Sequence, residues 1–272
     1  MLGGGGMLGA TEVGMLGALA DAGIRPDLVL GTSIGAINGV FVAADPAKAA
    51  QRLEAVWRSD VVKTAFRSSL FGRLNTLART GTALHSNTPL RHLIEQHLTE
   101  RRFDQLAVPF QCVAACVERA TAHWFRSGLI IPSVLASAAV PGLLPPVRIK
   151  GEHFFDGGLV HSIPVGRAVQ LGARRVFVLH VGRIEQPLTA PKRLWQVGLV
   201  AFEIARRHRF VEEMAGLPDD ITVHVLPAGG MSASNGRTAD LSQLRYRDSS
   251  RVVEHIEAAR EATTAYLAAH VT

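Results

Sequence analysis

The stretch Leu28-Val29-Leu30-Gly31-Thr32-Ser33-Ile34-Gly35 decides the reading of this 272-residue chain. Its first three residues form an apolar run after Pro26-Asp27 and read as a short buried strand. Residues 34–44 read as a helix built on small side chains. Gly31-Thr32-Ser33-Ile34-Gly35 is therefore a G-x-S-x-G motif in the strand–turn–helix setting that gives the motif its meaning. A serine on so sharp a turn projects its hydroxyl from the end of a sheet, and Gly31 and Gly35 relieve the crowding around it. The helix behind it supplies unpaired N–H groups and the positive end of its dipole, which favour negative charge developing near Ser33.

Upstream, Gly3-Gly4-Gly5-Gly6-Met7-Leu8-Gly9 leads into a helix expected over 10–23, with Val13, Leu16, Leu19 and Ala20 on one face and Gly23 as its cap. Successive amides mostly free of side chains can converge on an anion, and beside an elbow serine their natural use is an oxyanion hole. Gly4-x-Gly6-x-x-Gly9 also matches the dinucleotide-binding fingerprint, which stands as the alternative. That reading asks for an acidic residue about 20 residues further on, at the end of the second strand. Here that strand ends in Leu30-Gly31-Thr32, and Asp27 stands at its start. No Gly-Lys-Ser/Thr follows the glycines, so a P-loop is excluded.

A serine at an elbow needs a base within hydrogen-bond reach. Phe154-Phe155-Asp156-Gly157-Gly158 places a carboxylate just after a short strand, in a turn that glycine permits. Alone this would be an ordinary turn aspartate.

Taken together, these residues resemble the patatin-like phospholipase family. The matching pieces are Gly4-Gly5-Gly6-x-x-Gly9, Gly31-Thr32-Ser33-Ile34-Gly35 and Asp156-Gly157-Gly158. Ala136-Ser137-Ala138-Ala139-Val140-Pro141-Gly142, followed by Pro145-Pro146-Val147, looks like the family's segment before its aspartate. The resemblance covers residues 3 to about 181. It implies a Ser-Asp dyad with Ser33 as nucleophile and Asp156 as base, and an oxyanion hole from the backbone of Gly4, Gly5, Gly6 and Ile34. It implies a mostly parallel sheet sandwiched by helices, and hydrolysis of lipid acyl esters without cofactor or metal. A catalytically inactive lipid-binding relative is a further alternative. Free Asp titrates near ~3.9, so a catalytic Asp156 has to be buried to become a useful base. The expected chemistry needs none of His123, His153, His161, His180 and His224.

The chain departs from the family at two points. Leu8 stands where the glycine loop usually carries Arg or Lys, which favours a neutral ester. Ser162-Ile163-Pro164 stands where Asn often precedes x-Pro. Only Met1-Leu2 precede a glycine loop that normally leaves a buried strand, so a first strand is expected upstream of residue 1.

Helices are expected from Asp45-Pro46 to Trp57, over 90–98 after Thr88-Pro89, and over 132–140, 165–171, 191–215 and 250–270. Strands are expected over 110–117, 122–125, 147–150, 153–155, 175–181 and 221–226. The alternation gives an α/β class with a largely parallel sheet, in one domain over 1–272. Residues 61–88 carry no clear pattern and suggest a mobile cap.

Lys plus Arg is 29 and Asp plus Glu is 23, a net charge of +6. The basic residues are dispersed among acids and aromatics are 6%, so no nucleic-acid surface is visible. The densest run, Arg206-Arg207-His208-Arg209, is too short to make one. Cys112 and Cys116, four apart on a strand, would lie ~13 Å apart. A disulfide needs about 7 Å, so both are expected as buried thiols, which favours a cytoplasmic protein. His92 and His97 lie five apart and do not share a helix face as metal ligands would. Leu194, Trp195, Leu199 and Phe202 form a stripe that suits core packing, or a transient contact at the inner face of the membrane. The expected partner is a lipid or acyl-ester substrate.

Overall fold

Strands and helices alternate through the residues that the computed structural model describes, namely 1–59, 83, 85–180, 187–192, 194–229 and 251–271. They run α1 (Gly9–Asp21), β1 (Val29–Thr32), α2 (Ile34–Ala44), α3 (Ala49–Arg58), α4 (Thr88–His97), β2 (Phe110–Cys116), β3 (Thr121–Phe125) and α5 (Ile130–Ser137). Then follow β4 (Val147–Ile149), β5 (Glu152–Asp156), α6 (Val165–Gln170), β6 (Arg175–Leu179), α7 (Leu194–Ala215), β7 (Thr222–Leu226) and α8 (Val252–His270). The cap expected over 61–88 lies outside the described residues except for Ala83 and residues 85–88.

Alternation along the strands builds two cores. Val29 and Leu179 join the larger core with Ile37, Phe41 and Ile256, while Leu30, Val176 and Val178 join a second with Ile163, Val165 and Ala168. The sheet is thus covered by helices on both faces, the expected three-layer α/β sandwich.

Its strand directions are more mixed than the alternation suggested. β1 pairs parallel with β2, and β6 with β7, but β2–β3, β2–β5 and β4–β5 are antiparallel. The backbone of residues 1–3 lies between β1 and β6. Leu2 bridges in parallel to Gly31 and to Leu179, and the Gly3 amide donates to the Leu179 carbonyl at 3.1 Å.

One junction positions everything that follows. β1 pairs with residues 110–113 of β2, ending with Thr32 opposite Val113. β5 pairs with residues 114–116, ending with Asp156 opposite Ala114. β3 pairs with 112–116 and so holds the other edge. β1 and β5 therefore share one edge of β2 and run towards each other, C-terminus to C-terminus. Asp156 is the last residue of β5 rather than a residue of the turn after it.

Smaller shifts have local causes. The helix expected from Asp45-Pro46 starts at Ala49, because Asp45 takes the Lys48 amide on Oδ1 and on its carbonyl, both at 3.2 Å, and closes a turn first. The helix expected over 132–140 runs Ile130–Ser137, with Pro132 in the first turn, where its missing N–H costs nothing. Cys112 and Cys116 are buried free thiols, as expected. Among the described residues, no helix is long and apolar enough to cross a membrane.

Candidate active site

At the end of β1 the chain turns through Ser33 with φ 58° and ψ −125° and enters α2. This is the elbow expected of G-x-S-x-G, in a backbone region that costs a non-glycine residue about 1–3 kcal/mol. Close packing holds it there. A Cβ on Gly35 would lie 2.3 Å from the Leu2 carbonyl oxygen, and one on Gly31 would lie 2.5 Å from that of Gly35. The Ser33 amide donates to Ser137 Oγ at 3.1 Å, and Thr32 Oγ1 donates to the His161 carbonyl at 3.0 Å. Ser137 belongs to the segment singled out before the aspartate, but its bond to the elbow was not legible there.

The glycine loop folds back over this turn. A Cβ on Gly4 would stand 3.2 Å from Ser33 Cβ and 3.9 Å from its Oγ, so the loop packs closely on the serine. Gly9 opens α1 directly over Ile34 and Trp57. Gly6 takes φ 60° and shares a pocket wall with Ser33.

Asp156 arrives from the opposite direction at the same place and is fully buried. Its Oδ1 accepts the Gly158 amide at 2.7 Å, and its own amide donates to the Ala139 carbonyl at 2.9 Å. Gly157 and Gly158 are required here: a Cβ on Gly157 would lie 2.2 Å from the Val113 carbonyl oxygen, and one on Gly158 would lie 2.8 Å from the Phe202 ring. Burial pushes the Asp156 carboxyl up to about 7, against the opposing pull of the Ser33 hydroxyl, the Gly158 amide and the Arg206 charge; Glu203 adds to the rise. Oδ2 is buried and makes no hydrogen bond of normal length and angle. Ser33 and Asp156 are thus neighbours, and the Ser33 hydroxyl acts on the carboxyl.

Ser33 lines a pocket together with Gly6, Ile34, Ile37, Leu90, Ala138, Leu143 and Leu144, with His85 and Ser86 at its side. The walls suit an apolar ligand. A wider cleft of about 1630 Å³ opens at the other end of β1 and β6, beside Leu28 and Arg175, away from Ser33.

Three buried ionisable side chains, Arg206, Glu203 and Glu12, were missed in the sequence. Arg206 read as part of a cationic surface run, yet it is 6% exposed. It grips Glu203 through Nε and Nη2 at 3.1 and 3.0 Å, and its Nη1 donates to the Gly4 carbonyl at 3.0 Å and to Ser162 Oγ at 3.2 Å. Glu12 accepts a hydrogen bond from Asn38 Nδ2 at 2.7 Å. Of the α7 stripe, Phe202 is buried over Gly158; the side chains of residues 194, 195 and 199 lie outside the described residues.

The sequence profile of the family described as Patatin-like phospholipase matches residues 1–169. The chain belongs to the patatin-like phospholipase family. Ser33, Asp156 and the glycine loop all lie within the matched span, and Arg206 and Glu203 lie beyond it. This patatin-like chain is similar to the patatin-like phospholipase domain-containing protein ZK370.4 of Caenorhabditis elegans, at 32% identity over 189 residues, covering 68% of this chain and 14% of that protein. It is similar to lysophospholipase nte1 of Emericella nidulans, at 32% over 195 residues, covering 68% and 12%. It is also similar to patatin-like phospholipase domain-containing protein 7 of Rattus norvegicus, at 30% over 193 residues, covering 70% and 14%. The chain thus spans about an eighth of the length of these relatives. Among solved structures it is similar to VipD from Legionella pneumophila, with TM-score 0.46 and 15% identity, covering 99% of this chain and 66% of that one.

Proposed function

We propose that this patatin-like protein is a serine acyl hydrolase that cleaves carboxylic esters of lipids through Ser33 and Asp156. The observation that carries the reading is the junction on β2, where two strands of opposite direction deliver one hydroxyl and one carboxyl to the same point. Family membership and the similarity to lysophospholipases support a lipid ester as substrate.

In this mechanism the ionised Asp156 takes the Ser33 proton on the unpaired Oδ2 while Oγ attacks the ester carbonyl. Negative charge then develops on the carbonyl oxygen. Amides of Gly4, Gly5, Gly6 and Ile34 receive it, the first three from the loop folded over Ser33; such donors each contribute ~10²–10³ in kcat. The Ser33 amide is already spent on Ser137. The tetrahedral intermediate expels the alcohol, which takes the proton from Asp156 and leaves an acyl-enzyme. Water then gives a proton to Asp156 and attacks the acyl carbon; Ser33 Oγ leaves with that proton, which releases the fatty acid and restores the ionised Asp156. The apolar pocket beside Ser33 holds the acyl chain, and substrate is met at a lipid surface.

The test compares the wild type with Ser33→Ala on short-chain and long-chain acyl esters and lysophospholipids. Turnover is expected to disappear with the hydroxyl in a variant that keeps its fold. Turnover that survives removes Ser33 from the mechanism.

A further inference from the structure

Arg206 is a buried cation whose donors are almost all committed to one task. Its Nε and Nη2 close a bidentate pair with Glu203, one turn earlier on α7, and this fixes the guanidinium plane. Its Nη1 is thereby aimed at two oxygens, the Gly4 carbonyl and Ser162 Oγ. Ser162 is itself buried. In a trans peptide the carbonyl and the following N–H point in opposite directions. A Gly4 carbonyl drawn towards α7 therefore turns the Gly5 N–H away from α7. Gly4 has no side chain to hold that plane by packing, and a Cβ there would stand 3.2 Å from Ser33 Cβ, so this peptide lies against the serine.

We propose that Arg206 is a positioning residue of the active site: through the Gly4 carbonyl it locks the Gly4–Gly5 peptide so that the Gly5 N–H faces the oxyanion above Ser33, and with Glu203 it sets the charge seen by Asp156. This rests on the serine hydrolase reading above. A helix outside the family's matched span thus holds a loop within it.

The charged and titratable groups around this point are few. Arg206 lowers and Glu203 raises the Asp156 pKa, with burial the larger influence. Arg207 reaches Glu203 Oε2 at 3.5 Å. His180 stands against Gly3 and stacks on Phe210 of α7, and His161 pairs with Glu213 of the same helix. Arg206 bonds the Gly4 carbonyl, and the Arg206–Glu203 pair also acts on Asp156. Removing either partner leaves the other charge uncompensated, so the two removals displace the Asp156 titration in opposite directions.

The experiment measures kcat, KM and the acidic limb of kcat/KM for the wild type, Arg206→Gln, Arg206→Lys, Glu203→Gln and Ser33→Ala, with thermal unfolding of each. Arg206→Gln is expected to lower kcat about 10²-fold with KM little changed, as a misplaced catalytic group does. Its acidic limb moves to higher pH, whereas that of Glu203→Gln moves to lower pH. Arg206→Lys restores the limb through its charge and only part of kcat, because an ammonium cannot reproduce the fork. Folded Arg206→Gln with wild-type kcat overturns the proposal. So do limbs that move together, or losses in kcat that merely follow the loss of thermal stability in the Lys and Gln variants alike. Turnover surviving in Ser33→Ala overturns the hydrolase reading and this proposal with it; an inactive Ser33→Ala beside a fully active Arg206→Gln overturns this proposal alone.

Discussion

Ser33 carries a positive φ that a glycine would adopt without strain. Ser33→Gly is therefore expected to raise the free energy of unfolding by about 1 kcal/mol while abolishing turnover, measured by urea denaturation beside an ester assay. At Asp156 the decisive quantity is the pKa pushed up to about 7 by burial. The base works ionised, so kcat/KM should be level above about 7 and fall tenfold per pH unit below it. Asp156→Asn keeps the shape and loses the base, and kcat should drop by roughly 10⁴-fold, as when the carboxylate of a catalytic triad is replaced. A pH profile with no limb near neutrality would take the base role away from Asp156.

Among the elements, two glycines make opposite predictions. Gly14 lets α1 lie against α8, where an added Cβ would stand 2.1 Å from the Ile256 carbonyl oxygen. Gly14→Ala should cost about 1–3 kcal/mol through overpacking and leave kcat intact in the protein that stays folded. Gly157 instead sits where β5 ends against Val113 of β2. Gly157→Ala should push the end of β5 outward, and displacement of the Asp156 carboxyl by even ~1 Å should lower kcat about 10²-fold. Thermal unfolding and steady-state kinetics on the two variants separate a packing glycine from a positioning one.

Across the whole molecule, Glu12 is the clearest test of how burial governs stability. It is fully buried beneath the glycine loop, in a chain of hydrogen bonds from Trp57 Nε1 to Asn38 Oδ1 and from Asn38 Nδ2 to Glu12 and to the Gly9 carbonyl. Burial raises its carboxyl from 4.5 to about 8. Between those values the folded protein keeps a proton that the unfolded chain has released, so the stability contributed at low pH is lost as pH rises and the loss levels off above about 8. Glu12→Gln removes the titration and keeps an acceptor for Asn38. Its stability relative to the wild type should therefore grow as pH rises from about 4.5 to about 8, read from urea midpoints at each pH. An unchanging difference would show that Glu12 does not titrate in that range.

The parts whose physics is local were legible in the residues alone. A strand followed at once by G-x-S-x-G and a small-residue helix can hardly avoid an elbow, and β1, Ser33 and α2 lie where those residues require. The glycine loop and the three-layer class were legible for the same reason, since turn chemistry and hydrophobic period act over a few residues. What the tertiary structure alone decided depends on partners far apart in the chain. The antiparallel entry of β5, and with it the meeting of Asp156 and Ser33, follows from which edge of β2 each strand takes. Ser137 finds the Ser33 amide from 104 residues away, and Arg206 finds the Gly4 carbonyl from 202. A basic run on a helix looks the same in sequence whether its first arginine meets water or a buried carboxylate. Only the packing of α7 against the glycine loop, which excludes water from that guanidinium, brought it to the Gly4 carbonyl.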